Sequence, residues 1–119
     1  MYVFVYGSLK MGGYNHHYLQ DSKFIEHFDL PGYSLHDTGY GFPCIVKDKL
    51  ESVWGEIYKI DQETLFKLDR LEGEGSLYFR KKLHMSIDNK MEKVYFYIGR
   101  EMSFVMLIGY GYQKSIGAK

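Results

Sequence analysis

The stretch Met1-Tyr2-Val3-Phe4-Val5-Tyr6-Gly7-Ser8-Leu9-Lys10 decides how this chain is read. Residues 2–6 are apolar without a break and are β-branched or aromatic throughout. Such a run, lacking the alternation of a half-exposed strand, predicts a buried strand that stops at Gly7. A buried strand running into a glycine turn can aim consecutive backbone N–H groups at one point, which makes an anion or oxyanion site. Gly7 allows close approach of a ligand there, and Ser8 adds a hydroxyl. An ordinary strand-to-loop turn is the plainer alternative, and spacing alone favours it because such turns are ubiquitous.

Outward from this stretch, the chain alternates extended segments with turns. Met11-Gly12-Gly13 reads as a loop and residues 14–21 as a loop or short helix. Residues 23–30 and 32–36 read as extended segments around a Pro31-Gly32 turn, and Gly39, Gly41 and Pro43 mark a second loop. Ser52 to Ile60 reads as a strand in which Val53, Gly55, Ile57 and Lys59 alternate with Trp54, Glu56, Tyr58 and Ile60. Residues 61–72 form the clearest helix: Asp61 is a good N-cap, Glu63 suits the positive dipole end, and Gly73 stops it. Leu65, Leu68 and Leu71 lie along one side of it. Strands at about 77–87 and 92–98 follow, joined by the loop Asp88-Asn89-Lys90-Met91. The last twenty residues are mixed. Mostly strands with one embedded helix predicts a single α+β or barrel-like domain over residues 1–119.

The second candidate for chemistry is Glu72. It sits in the last turn of its helix, where the dipole disfavours negative charge, and one turn beyond Leu68 on the apolar side. Asp69, three residues earlier, adds like-charge repulsion. All three influences push a carboxyl pKa upward, which suits a group that accepts and returns a proton near neutral pH. Position alone favours a plainer reading, a solvated helix-end glutamate paired to Arg70 or Arg80. Glu74, in a glycine-flanked loop, reads as solvated. Tyr78 and Arg80 alternate onto one strand face. Arg80 can hold a substrate carboxylate bidentately or balance Asp69 and Glu72, and the structural role is the expected one.

Composition narrows the classes of function. Fifteen Lys and Arg balance fifteen Asp and Glu among 119 residues, so no net charge argues for nucleic acid or an anionic membrane. A single cysteine excludes an internal disulfide and a cysteine-based zinc cluster. His16 and His17 are adjacent and ill-placed to share a metal, and Cys44 lies far from them. Cys44 with a histidine, or Ser8 with His36 and Asp37, lacks the spacing of a nucleophilic pair or triad. Gly39-Tyr40-Gly41 lacks the strand–helix context of a dinucleotide loop. The opening strand is too short for a signal-peptide core, and the apolar run Phe104 to Ile108 falls far below the roughly 18 residues that span a bilayer. A cytoplasmic protein is the default. Twelve Tyr, eight Phe and one Trp favour strands and a small-molecule cleft, since tyrosine has an apolar body and a polar tip.

Together the parts resemble the gamma-glutamylcyclotransferase-like superfamily, in particular its small bacterial and gamma-glutamylamine cyclotransferase (AIG2-like) branch. Val3 through Lys10, Gly12 and Asn15-His16 look like its opening. Pro31-Gly32-Tyr33-Ser34-Leu35, Gly39, Phe42-Pro43 and Val53-Trp54-Gly55-Glu56-Ile57-Tyr58 fit the middle. Leu68-Asp69-Arg70-Leu71-Glu72-Gly73, Tyr78-Phe79-Arg80 and Val94-Tyr95-Phe96-Tyr97 complete it, so the resemblance covers residues 1–98.

The resemblance implies a small mixed β-barrel with packed helices. It implies that Tyr6, Gly7, Ser8 and Leu9 bind the γ-glutamyl part of a substrate and that Glu72 is the general acid/base. Tyr78, Arg80 and Tyr97 are further candidates for the pocket. The implied reaction is cyclisation of a γ-glutamyl amide or amine to 5-oxoproline, with no cofactor or metal and no nucleic-acid or membrane partner, in a monomer or homodimer. A binding or sensor domain that keeps the pocket without turnover is the alternative. Residues 101–109 match the family's ending only loosely, and a glycine near Glu74 stands where a proline is often seen, so the leaving-group side is where this chain departs.

Overall fold

A computed structural model describes residues 1–37, 43–73 and 78–99 together with the short strand at 113–114. The expectations for Gly39-Tyr40-Gly41, Glu74 and the apolar run 104–108 lie outside the described residues. The strands are β1 (Tyr2–Val5), β2 (Lys23–Asp37), β3 (Pro43–Lys59), β4 (Tyr78–Ile87), β5 (Lys90–Gly99) and β6 (Gln113–Lys114), with one helix, α1 (Gln62–Glu72). They form one mixed sheet in the order β4-β5-β1-β3-β2-β6. The short β1 lies inside it, antiparallel to β3 and parallel to β5.

Every residue of β1 is buried, as an unbroken apolar run requires. Val3 and Val5 face one core cluster, which includes Leu65 and Leu68 of α1 and Tyr58 of β3. Tyr2 and Phe4 face a second, built from β1 to β5 without any helical residue; Leu30, Ile45, Ile57, Val94 and Phe96 belong to it. Strands that are not neighbours meet across this face, Tyr33 of β2 standing edge-on to Phe96 of β5 at 5.4 Å, while among the described residues no ladder joins β4 to β2 or β6, so the fold is α+β and barrel-like but open. Gly55 makes the close approach at the centre possible, because a Cβ there would strike the Val5 carbonyl and the Phe4 ring.

Three expectations are corrected. Pro31-Gly32 does not break the chain into two segments; β2 passes through, and residues 48–51 of β3 bulge opposite Gly32. Proline has no N–H to give the ladder, and Gly32 at φ +85° takes up the resulting irregularity. Pro43 begins β3, which runs nine residues ahead of the expected Ser52 start. The stretch 47–52, polar except for Leu50 and bulged opposite Gly32, hid that extension, although Cys44 and Ile45 at its start are buried. Finally, the β4–β5 turn is two residues, Asp88 and Asn89, both at positive φ (52° and 64°), as in a type I′ turn.

The helix begins where its cap predicts: the Asp61 carboxylate accepts the Thr64 N–H at 2.7 Å. Gly73 ends it in the left-handed conformation at φ +61°. Leu65 and Leu68 are buried and Phe66 is exposed, so the buried side carries α1 against the sheet and brings its last turn beside the end of β1. Among the described residues no helix is long and apolar enough to cross a membrane.

Candidate active site

The end of β1 and the end of α1 meet at a cleft of about 210 Å³. Val5, Tyr6, Ser8 and Leu9 line it from the first strand and its turn, and Leu71 and Glu72 from the helix. Tyr78 and Tyr97 line it from the neighbouring strands. Two segments more than sixty residues apart in sequence, both singled out above, thus share one cleft.

Glu72 has lost most of its water here, and that burial pushes its carboxyl from the ordinary 4.5 up to about 7. The expected repulsion from Asp69 is corrected, because Asp69 is already balanced. Its carboxylate accepts hydrogen bonds from Arg80 at 2.5 Å and from the Tyr97 hydroxyl at 2.6 Å. The plainer pairing of Glu72 with Arg70 or Arg80 is not found among the described residues. Arg80 is drawn to Asp69 and also lies over the Tyr95 ring, 5.0 Å from its centroid. It is not among the described residues that line the cleft.

The tyrosines divide by what their hydroxyls do. That of Tyr6 donates to the Tyr97 carbonyl at 2.7 Å, so Tyr97 binds the first turn through its backbone and α1 through its side chain. Burial first, and then the charge of Glu72 among its neighbours, raises the Tyr6 and Tyr78 hydroxyls above the ordinary 10. Burial and the Asp69 hydrogen bond do the same for Tyr97. All three remain protonated donors at neutral pH.

The turn after β1 is a single 3-10 turn over Gly7–Leu9. Gly7 does not line the cleft; its φ of +72° makes the bend, a conformation that side chains resist. Ser8 and Leu9 line the cleft, and among the described residues no backbone bond takes up the Ser8 N–H. The turn is held from behind. Asn15 N–H donates to the Ser8 carbonyl at 2.8 Å, its side-chain amide donates to the Ser8 hydroxyl at 3.0 Å, and His16 Nδ1 lies 3.0 Å from the Leu9 carbonyl. Gly13 packs so closely that a Cβ would strike the Ser8 carbonyl.

Asn15 lines the cleft and was not singled out as a site residue; its place beside His16 in the motif that opens the resemblance was the available signal. Asp69 was noticed for its charge and not for the contacts it makes, which need two strands from elsewhere. His36 Nε2 lies 2.6 Å from the Ser34 hydroxyl on β2 and not beside Ser8. Cys44 is buried and lies near Tyr6 and Tyr78.

Residues 3–110 match the model of the gamma-glutamyl cyclotransferase, AIG2-like family. The chain belongs to that family. It is 39% identical over 106 residues to a provisionally named gamma-glutamylcyclotransferase of Methanocaldococcus jannaschii, covering 81% of this chain and 83% of the relative. It is 33% identical to the gamma-glutamylcyclotransferase family protein YtfP of Escherichia coli K12, covering 80% and 82%. Among solved structures, a mouse AIG2-like protein superposes with a TM-score of 0.75 at 25% identity, over 89% of this chain and 81% of that one. This AIG2-like chain therefore shares both the sequence family and the fold the resemblance implied.

Proposed function

We propose that the protein cyclises a γ-glutamyl amide or amine to 5-oxoproline and releases the free amine, with Glu72 as the general acid/base. The observation that carries this reading is the burial that brings Glu72 to about 7 in a cleft shared with Ser8 and Leu9 of the first turn. A carboxyl poised there is half ionised at neutral pH and can move a proton in either direction. The Glu72 carboxylate takes a proton from the substrate α-ammonium, and the freed amine attacks the γ-carbonyl carbon of the same molecule. The carbonyl electrons move to oxygen, and the Ser8 N–H is suited to donate a hydrogen bond to the oxyanion so formed. Collapse of this intermediate breaks the γ-carbon–nitrogen bond, and Glu72 returns its proton to the departing amine. The α-nitrogen goes from an ammonium with three hydrogens to a lactam N–H, so a second proton leaves it as the ring closes; Glu72 passes that one on as well, the amine departs as an ammonium ion, and the atoms balance.

Much of the acceleration would come from holding the substrate bent for five-membered closure, since well-oriented internal reactions gain about 7–11 kcal/mol. The relative from Niallia circulans named gamma-L-glutamyl-butirosin B gamma-glutamyl cyclotransferase lends the reaction type support. It is 37% identical over 70 residues, and this chain covers 44% of its length. The test is mass spectrometry of the protein incubated with γ-glutamyl amino acids, γ-glutamylamines and γ-glutamyl-lysine isopeptides. Release of 5-oxoproline from a member of the panel, abolished by Glu72→Gln, is expected. Measurable binding of a member without 5-oxoproline from any would replace the enzyme reading with that of a binding domain.

A further inference from the structure

Glu56 on β3 is 7% exposed, and with Ser34 it makes up the buried polar or charged residues among those described. A carboxylate stripped of water is costly unless donors satisfy it. Among the described residues no ion pair serves Glu56. Its Oε1 instead accepts two hydrogen bonds, from the Met11 backbone N–H at 2.8 Å and from the Tyr58 hydroxyl at 3.0 Å. Glu56 stands opposite Val5 in the β1–β3 ladder, beside the point where β1 passes into the Gly7–Leu9 turn. Met11 lies just beyond that turn, and its side chain is 68% exposed. Packing of the Met11 side chain therefore does little to hold the chain here; its backbone N–H is what reaches inward.

The neighbouring contact points the same way. Tyr58, two residues on from Glu56, is buried, and its ring packs on His16, with centroids 5.7 Å apart. His16 in turn meets the Leu9 carbonyl. Strand β3 thus grips the loop at Leu9 through His16 and at Met11 through Glu56. Glu56 does not line the cleft and so has no direct path to a substrate.

We propose that Glu56 is a positioning residue, a carboxylate clamp on the Met11 N–H that holds the Gly7–Leu9 turn in place against the cleft. What the loop binds rests on the cyclotransferase reading; the clamp itself does not. A hydrogen bond to a charged acceptor is stronger than a neutral one, which gives a buried carboxylate a purpose at this position.

The experiment compares Glu56→Ala and Glu56→Gln with the wild type, reading kcat/KM against pH and backbone amide exchange by NMR without substrate. Glu56→Ala is expected to lower kcat/KM between about tenfold and a hundredfold, the range for losing a hydrogen bond to a charged group. The Met11 amide should lose protection, while the pH midpoint set by Glu72 stays near 7. Glu56→Gln keeps an acceptor oxygen in place and should recover most of both losses. If Glu56→Ala does not fold, Met11→Pro removes the donor and leaves the carboxylate. Lys10 at φ −66° and ψ 160° already has the extended backbone that must precede a proline. That variant should lower kcat/KM and deprotect the Gly13 and Asn15 amides. The proposal is overturned if Glu56→Gln is as inactive as Glu72→Gln, since the charge would then take part in the chemistry. It is equally overturned if Glu56→Ala, or Met11→Pro in its place, changes neither kcat/KM nor amide protection. Should the wild type turn over no γ-glutamyl compound, the functional reading fails while the Met11 amide still reports on the clamp.

Discussion

Replacing Glu72 by glutamine keeps the size of the side chain and removes its proton, so it separates the cost of the buried charge from its use. An unfolded chain ionises this carboxyl near 4.5, whereas burial in the folded chain raises it to about 7. Below 4.5 both states are protonated, and Glu72 takes nothing from stability. Between the two values the unfolded state gives up its proton first, so wild-type stability falls as pH rises and levels off once the folded state ionises too. At about 1.4 kcal/mol per pH unit the full loss is about 3 kcal/mol, and the residual solvent contact of Glu72 trims it to about 2–3 kcal/mol. Glutamine has no such term. Urea unfolding of both proteins at several pH values between 4 and 8 should give curves that nearly coincide at the acid end. At pH 8 the variant should be the more stable by the amount above, although it is inactive. Equal stability differences across the whole range would refute the argument, because Glu72 would then ionise alike in both states.

The remaining predictions probe what surrounds Glu72. Asp69→Asn removes the carboxylate that Arg80 meets at 2.5 Å and so takes one negative charge away from the helix end. The acid limb of kcat/KM should move below pH 7, and a profile with an unmoved limb would show that the charge of this pair does not act on Glu72. Tyr6→Phe leaves the Tyr97 carbonyl without its donor and should cost about 1–3 kcal/mol in urea unfolding, with the pH midpoint of activity unchanged. Gly13→Ala drives a Cβ into the Ser8 carbonyl, so the loop must shift. Calorimetry should show a loss of about 1–3 kcal/mol, and kcat/KM should fall even at temperatures where the variant is fully folded.

Local rules made much of this molecule legible. The unbroken apolar run Tyr2–Tyr6 identified a strand buried on both faces, and Asp61 and Gly73 bracketed the helix to within a residue. Both the turn at Gly7–Leu9 and the glutamate at 72 stood out as candidates. Their chemistry by itself did not separate them from a common turn and a solvated helix end; the ordered motifs of the resemblance did. Less was visible where the determinants were distant. The early half of β3 contains the polar stretch Lys47-Asp48-Lys49 and the bulge opposite Gly32, so periodicity could not reveal it. For Arg80 an ion pair was the expected role, but the chain alone did not say whether Asp69 or Glu72 would be its partner.

The amino-acid sequence by itself thus determined the strands, the capped helix and the two segments worth watching, because each depends on residues within a few positions of one another. Only the tertiary structure decided that α1 ends beside β1, that Asp69 satisfies Arg80 and Tyr97, and that Glu72 is left to titrate near neutrality. Those outcomes depend on which side chains lose water together, and burial is a property of the packed sheet and helix rather than of any short stretch of chain.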